Sequence, residues 1–362
     1  MKNYKIILAI SALILAISCE TSYRMITVLD KNGQTHREIY AHGNKAFMQG
    51  DASENPFLFA LDSTWRIERF DRDTPIDETL AAKSAFGSEE KMNVKISKIT
   101  ASIDNFTKDI TYDKDKRSLA APEEILLKKK RWFYTIYSFK AAYHKFQYEV
   151  PVSINDYLSK EEQLLWTQGG MCDYKIMNGT EMKDYLNDIE GNFLRWYECN
   201  FFEICFEGIQ KLNTRYDLKV DKEKLYKQTT DFVNDDPTKI NSELVCNVLD
   251  SYYQTDYFSK LYHANAEVLD RDFENAIAIC QLVPYVISYE LVVPGDILQS
   301  NAPIIENNTL IWKVDGTRLL FDDFILTAEY RVINRWAFWI TGLLLLVAVG
   351  SSVVLLTKKI RS

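Results

Sequence analysis

The sequence predicts an α+β protein: a β-rich domain interrupted by a helical insertion and followed by one C-terminal transmembrane helix. Three observations predict this class. Apolar and polar residues alternate in short runs before residue 150 and after residue 283, as half-buried strands require. Between residues 154 and 282 the apolar spacing changes to three and four residues, the period of a helix that faces a core. Trp336–Thr357 carries no charge over 22 residues, enough to cross a hydrocarbon core of about 30 Å.

The N-terminus has the three regions of a secretory signal peptide. Lys2 and Lys5 precede the apolar run 6–17, and Ser18 and Cys19 follow it. The segment 16–19 is similar to the lipobox of bacterial lipoproteins, in which cleavage leaves a lipid-bearing cysteine, although Ala16 stands where Leu, Val or Ile is usual. We therefore predict a signal peptide over residues 1–18 and lipid attachment at Cys19. The alternative is an uncleaved or conventionally cleaved signal, with Cys19 as an ordinary thiol.

A first β-rich segment is predicted over residues 19–150. Its strand patterns lie at residues 24–29, 35–40, 65–70 and 92–103, with a turn at Asp30–Gly33 between the first two. The clearest strand pattern runs from Trp132 to Tyr148. It follows a basic run of four residues, Lys128, Lys129, Lys130 and Arg131. This run is either the solvated start of a strand or a contact with anionic lipid headgroups, which contributes up to ~1 kcal/mol per residue at a membrane surface.

The helical insertion is predicted over residues 151–282. Thr180 is a candidate N-cap for a long helix whose apolar residues recur as far as Leu212. Further helices are expected near residues 221–233, 241–262 and 265–282, with breaks at Asp235–Pro237 and near Ala264.

A second β-rich segment is predicted over residues 283–335, with strands at 285–293, 309–314 and 325–332. Pro294 and Gly295 predict a tight turn, because proline fixes φ and glycine accepts a positive φ. The transmembrane helix follows at residues 336–357, and residues 358–362 form a short tail with three basic residues. By the positive-inside rule this tail is cytoplasmic, which places the β-rich domain and its insertion on the extracytoplasmic side. A buried core helix is the alternative for this segment.

Composition limits the partners. The net charge of −8 argues against nucleic acid as a partner, and 47% hydrophobic residues exclude general disorder. Besides Cys19, the five cysteines 172, 199, 205, 246 and 280 are too irregularly spaced for a disulfide framework. Cys199 and Cys205 are most simply two small residues of one helix, with a bridge from that helix to Cys246 or Cys280 as the alternative.

Motifs of catalysis and cofactor binding are not found in the sequence. The four histidines have neither HExxH nor His-x-His spacing, and there is no GxSxG, no phosphate-binding loop and no GxGxxG. We therefore predict no metal, no cofactor and no catalytic residues, and the sequence favours a protein without enzymatic activity.

The membrane-proximal segment resembles a known group of proteins. Val293-Pro294-Gly295, Asn301, the strand Asn308–Val314 and the segment Asn334–Trp336 stand directly before the transmembrane helix. Together with the RWFYT strand at residues 131–135, these motifs resemble bacterial envelope lipoproteins of the LppM-like group, over about 70 of the 362 residues. The resemblance implies a cell-envelope lipoprotein with an open β-sheet domain. It carries over no catalytic residues, and the helical insertion has no counterpart in it.

These observations lead to one main hypothesis and two alternatives. The main hypothesis is a lipoprotein of the bacterial cytoplasmic membrane whose ectodomain binds or scaffolds an envelope protein, a lipid or a glycan, with the bilayer itself as its other partner. One alternative is an envelope hydrolase, acting on glycans or lipids, whose site has no recognisable motif. The other is an accessory subunit of an inner-membrane complex.

Overall fold

The computed structural model describes residues 21–70, 92–106, 110–112, 117–169, 177–233 and 239–361. Its two sheets and eight helices confirm the α+β class. The contacts divide the chain into two units. Of the described residues, those within 22–143, 286–314 and 325–362 form a β-rich unit, and those within 144–285 and 315–324 form a helical unit.

The larger sheet of the β-rich unit has seven strands in the order β3-β4-β2-β1-β7-β10-β9. Their bounds are β1 Thr21–Leu29, β2 Thr35–Ala41, β3 Arg66–Arg69, β4 Val94–Thr100, β7 Tyr285–Val292, β9 Ile304–Glu306 and β10 Thr309–Asp315. β1 and β2 form an antiparallel hairpin in which Leu29 faces Thr35. The turn between them closes at Gly33, whose φ of +98° suits glycine. Here the predicted turn and both predicted strands are confirmed.

The smaller sheet has four strands in the order β5-β6-β11-β8. These are β5 Glu123–Lys130, β6 Tyr134–Tyr143, β8 Asp296–Ser300 and β11 Phe324–Ile333. β5 and β6 pair antiparallel from Glu123 opposite Ala142 to Lys130 opposite Thr135. Two short helices complete the unit before its C-terminus, α1 Lys45–Met48 and α2 Arg117–Ala120.

The basic run was predicted to begin a strand, and this prediction is wrong. Lys128–Lys130 end β5, and Trp132 and Phe133 form the turn of a β5–β6 hairpin instead of strand residues. β5 and this turn were not predicted, because the segment 131–134 contains none of the Gly, Asn, Asp or Pro residues that mark hairpins.

A buried ion pair connects the two sheets of the β-rich unit. Arg37 of β2 donates Nη1 and Nη2 to the two carboxylate oxygens of Glu124 of β5, at 2.9 and 2.6 Å. Its Nε donates to Thr27, its guanidinium lies 4.0 Å from the ring centre of Phe106, and Tyr289 donates its hydroxyl to Glu124 at 2.7 Å. Burial lowers the pKa of Arg37 and the adjacent carboxylate raises it; the carboxylate prevails, so the guanidinium stays protonated.

The Asn301 loop of this unit is held by one side chain. Asn301 donates its amide to the carbonyl of Ile325 at 2.7 Å and accepts hydrogen bonds from the Thr327 amide and the indole of Trp312. Trp312 itself is fully buried. Asn301 is therefore a structural residue, and Trp312 belongs to the core.

Gly295 was predicted to adopt a positive φ in a tight turn, but it does not; it is needed instead for close packing of two backbone segments. The glycines with positive φ in the described residues are Gly33, Gly50 and Gly169. A Cβ on Gly295 would lie 2.0 Å from the carbonyl oxygen of Arg331, so only glycine lets these two backbones approach.

The helical unit contains five helices: α3 Lys160–Gln168, α4 Gly179–Leu212, α5 Lys222–Val233, α6 Ser242–Tyr253 and α7 Tyr257–Ala276. Asn178, and not Thr180, caps α4. Its side-chain oxygen accepts the amides of Thr180 and Glu181, and the Glu181 carboxylate accepts the amide of Asn178, which completes a capping box.

The break between α6 and α7 lies earlier than predicted. Gln254 adopts a left-handed conformation with φ 52°, and the Asp250 carboxylate accepts the amides of Phe258 and Ser259, both at 2.8 Å. These contacts end α6 and begin α7. Asn265, near the predicted break, is a kink inside α7.

The core of the helical unit is aromatic and contains free thiols. Phe202, Phe206 and Phe258 are fully buried in it, next to Cys205 and Cys246. Cys199, Cys205, Cys246 and Cys280 all have free thiols, so the alternative of a bridge from α4 to Cys246 or Cys280 is not realised. Burial raises the pKa of Cys205 and of Cys246 to about 12, which keeps these thiols protonated and inert.

Candidate membrane-contact site

The last helix of the β-rich unit, α8 Arg335–Arg361, is the one described helix that is long and apolar enough to cross a membrane. Its window Arg335–Val353 has a mean hydropathy of 1.9 and is only 6% buried within the protein. Trp339 is 81% exposed and Leu346 is 73% exposed. A helix of a soluble core would bury one face along its length, so the exposure of nearly the whole window fits a lipid environment and not the core-helix alternative.

The tip of the β5–β6 hairpin packs against the start of α8. The rings of Trp132 and Trp336 meet edge to face at 5.3 Å, and those of Phe133 and Phe338 lie 4.9 Å apart. The indole of Trp132 donates to the hydroxyl of Thr341 at 2.9 Å. Thr341 is six residues after Arg335, which is about 9 Å along a helix. The tip therefore packs along nearly the first two turns of α8.

Asn334 locks this arrangement. Its backbone amide donates to the carbonyl of Phe133 at 2.8 Å, and its side-chain amide donates to the carbonyl of Arg131 at 2.9 Å. Its side-chain oxygen accepts the hydroxyl of Thr135 at 3.1 Å. One residue between β11 and α8 thus uses its side-chain donor and acceptor and its backbone amide on the hairpin, which fixes the tip relative to the helix.

The basic run lies beside these contacts. Lys128, Lys129, Lys130 and Arg131 are all exposed, and Lys128 places its ammonium 5.2 Å from the ring centre of Tyr137. Arg131 closes the turn with a backbone hydrogen bond to Tyr134 at 2.8 Å. Three cations at the end of β5 and one in the turn therefore lie next to the aromatic tip, at the base of the apolar helix. Basic residues next to interfacial aromatic residues are typical of a protein surface that meets anionic headgroups.

Of the other predicted site residues, Cys19 lies outside the described residues. The basic run was predicted as a candidate headgroup contact, whereas no site role was predicted for Asn334, Phe133 or Thr341. A usable signal in the sequence was the pair of large aromatic residues directly after the basic run, a combination that is typical of a membrane interface.

Metal ligands do not converge in the part of the chain that the structure describes. No group of three His, Cys, Asp or Glu side chains there has the geometry of a metal site. His144 lies instead against Asp323, with Nδ1 3.0 Å from the carboxylate.

Comparisons with known proteins assign no family. No protein-family model matches the chain, and no curated protein matches it. A similar solved structure is the NMR structure of the folded domain of LppM from Mycobacterium tuberculosis, which belongs to the group that the membrane-proximal motifs resemble. The similarity covers 87% of this chain and 91% of that domain, at 8% identity and a TM-score of 0.25. A score this low carries no argument about fold or function.

Proposed function

We propose that this chain is a non-enzymatic, membrane-anchored binding protein whose β-rich unit is held at the bilayer surface by two contacts. The first contact is α8, which spans the membrane. The second is the tip of the β5–β6 hairpin, whose aromatic residues enter the interface and whose cations contact anionic headgroups. In this proposal the protein belongs to the bacterial cytoplasmic membrane, with the tail after Thr357 inside and the rest of the chain outside.

The contact of Trp132, Phe133 and Asn334 with the first turns of α8 carries the proposal. If α8 begins at the membrane surface, these hydrogen bonds and ring contacts put the hairpin tip at the same depth. Trp and Tyr side chains favour that depth because their rings are apolar and their polar atoms remain hydrated. The tip exposes large aromatic side chains, which are unfavourable in water and favourable in the membrane interface, and this supports a membrane role for it.

Amide hydrogen exchange of the full chain in nanodiscs tests the proposal. We expect the amides of residues 128–134 to exchange more slowly in discs that contain phosphatidylglycerol than in discs of phosphatidylcholine alone, because four cations each gain up to ~1 kcal/mol near an anionic surface. Replacing Lys128, Lys129 and Lys130 with Gln should remove most of this difference, because only Arg131 remains. Lys140→Gln is the matched control, since Lys140 is an exposed lysine of the same hairpin that lies far from the tip.

Two further variants separate the contacts. Asn334→Ala should speed exchange at the tip in both lipids, because it removes the side-chain bonds to Arg131 and Thr135. Replacing Trp336–Thr357 with an unrelated apolar span should keep the chain in the disc but remove the ring contacts of Trp132 and Phe133. Equal exchange at the tip in both lipids and in all variants would refute the headgroup contact. Digestion of the tail by a protease added outside sealed cells would refute the orientation.

A further inference from the structure

The helical unit contains an apolar cavity that the membrane contact does not involve. Its volume is about 270 Å³, and it lies between α4, the C-terminal end of α7, α3 and the segment 315–324. Aromatic side chains form much of its wall, including Trp166, Phe193, Trp196 and Tyr197. Hydrocarbon that fills a space with such a lining gains packing contacts with the aromatic wall, so the cavity suits an apolar occupant.

Few polar groups reach this cavity, and one of them is already used by the fold. Asn200 accepts the amide of Val152 at 2.9 Å and donates to the carbonyl of Trp196 at 2.9 Å. Glu190 is the charged residue of the wall, and it is partly exposed. The cavity therefore provides an apolar surface with one carboxylate near solvent, and the bulk of its occupant must be hydrocarbon.

A second cavity of about 360 Å³ adjoins the first, with Val150, Ile204 and Ala276 lining both. Its charged residues are Glu149, Glu207, Asp272 and Lys211, three carboxylates against one ammonium, and all four are exposed to solvent. A ligand that passes the shared side chains would thus have an apolar part in the first cavity and a polar part in an acidic one.

We infer that the helical unit binds a single-chain amphiphile, with its hydrocarbon chain in the apolar cavity and a head group without negative charge in the acidic cavity. The apolar cavity, at about 270 Å³, is slightly smaller than the usual range of ligand sites, which favours one chain over two. The excess of carboxylates selects against a fatty acid or a phosphate head and in favour of an amine or an alcohol. This inference rests on the proposed binding role of the ectodomain and is independent of the hairpin contact.

Chain length gives the first quantitative expectation. Each methylene that moves from water into the cavity should tighten binding about fourfold. Octylamine, decylamine and dodecylamine can be compared with the full chain in nanodiscs of phosphatidylcholine. Equilibrium dialysis gives the free aqueous ligand, so that partition into the lipid does not distort the affinity. The head group gives the second expectation: dodecylamine should bind about tenfold more tightly than dodecanoate, with dodecanol between them.

A cavity-filling variant identifies the site. Ala276→Trp places an indole at the boundary of both cavities and should remove the saturable part of the binding. Ala264→Trp is the control, because Ala264 is an exposed residue of the same helix. Ile204→Phe fills the boundary from α4 and should act in the same direction, so a folding defect in one variant does not decide the result. Circular dichroism reports whether each variant retains its helices.

Photolabelling locates the ligand directly. A dodecylamine with a diazirine at the end of its chain should label peptides of α4 and of residues 276–283 in a saturable manner. Lipid-dissolved reagent will label α8, which serves as an internal reference. Saturable labelling that is confined to α8, or equal affinities for dodecylamine and dodecanoate, would overturn the inference. Either result would leave the lipid-dependent exchange of the hairpin tip intact, so the failure of this inference is distinguishable from that of the proposed membrane contact.

Discussion

Removal of Glu124 should destabilise the β-rich unit strongly, because it leaves the charge of Arg37 buried without a partner. The two side chains are 1% and 0% exposed and are joined by two hydrogen bonds of 2.9 and 2.6 Å. Breaking a buried ion pair by removing one partner costs about 3–5 kcal/mol. The same variant also deprives Tyr289 of the acceptor for its hydroxyl.

Hydrogen exchange of the full chain in nanodiscs measures this effect locally, so it does not require the two units to unfold together. For Glu124→Ala, the amides of β2 and β5 should exchange roughly a hundredfold to a few thousandfold faster, the equivalent of about 3–5 kcal/mol. Asp296→Ala is the matched control in the same unit, since Asp296 pairs with Arg331 at an exposed position. Its effect should stay below about 1 kcal/mol.

The double variant Arg37→Met with Glu124→Leu tests the cause. With both charges removed, no buried charge remains, and protection should recover most of the loss, short of the cost of the unpaired Tyr289 and Thr27 hydroxyls. If Glu124→Ala exchanges like Asp296→Ala, or if the double variant is no better than the single one, the pair does not act as a buried charge pair and the reasoning is wrong.

Three more predictions follow from other contacts. Tyr289→Phe should lower the stability of the β-rich unit by about 1.5–3 kcal/mol, because the Tyr289 hydroxyl donates to a carboxylate. Tyr143→Phe should be neutral or stabilising, because no described group forms a hydrogen bond with the buried Tyr143 hydroxyl. Hydrogen exchange in β6 and β7 distinguishes the two variants. Gly295→Ala should disrupt the β8–β11 pair, since its Cβ would lie 2.0 Å from the carbonyl oxygen of Arg331. Gly191→Ala should instead stabilise α4 by about 1 kcal/mol, because the new methyl group enters open space. Thermal unfolding of both variants measures the difference. Burial raises the pKa of Glu190, so the folded state keeps the Glu190 proton at pH values where the unfolded chain has lost it. The stability of the helical unit should therefore fall as the pH rises from the ordinary glutamate pKa through the raised pKa of Glu190. Glu190→Gln should flatten the pH dependence of hydrogen exchange in α4.

The regular elements were predictable because their patterns are local. The β1–β2 hairpin follows from alternation and an Asp30–Gly33 turn, and α5 follows from its helical period, with observed bounds Lys222–Val233 close to the predicted 221–233. α8 follows from length and composition alone. In each case the residues that define the element lie within it, so no distant contact is needed to infer it.

The candidate site could be predicted only in part, because its decisive contacts join distant residues. The basic run is visible in the sequence, but its position depends on Asn334, some 200 residues away in the chain, and on a hairpin turn without turn residues. The same holds for the ion pair of Arg37 and Glu124, which no local pattern reveals. Local rules fail most clearly at Arg131–Tyr134, which is where a functional demand is expected to override turn propensity.

The direction of β1 determines how a lipid on Cys19, the second predicted membrane anchor, could reach the bilayer. Tyr137, which pairs with Lys128 near the hairpin tip, donates its hydroxyl to the carbonyl of Lys31, just after β1. At the other end of β1, Tyr23 lines a small cavity together with Leu119 and Ala120, which precede β5. β1 and β5 therefore point the same way, and the eight steps from Thr21 to Leu29 span about 26 Å.

Thr21 consequently lies at the end of the β-rich unit that is remote from the tip. Thr21 follows Cys19 by two residue steps, which reach at most ~7 Å. A lipid on Cys19 can thus enter the leaflet that the tip contacts only if the sheets lie flat on the bilayer. Spin labels on ketone-bearing side chains, placed singly at Thr21 and Lys129 in the nanodisc-held chain, measure this. With the sheets upright, we expect the Lys129 label at headgroup depth and the Thr21 label in water, which would argue against both anchors in one leaflet; equal depths would refute the upright arrangement and favour two anchors in one membrane.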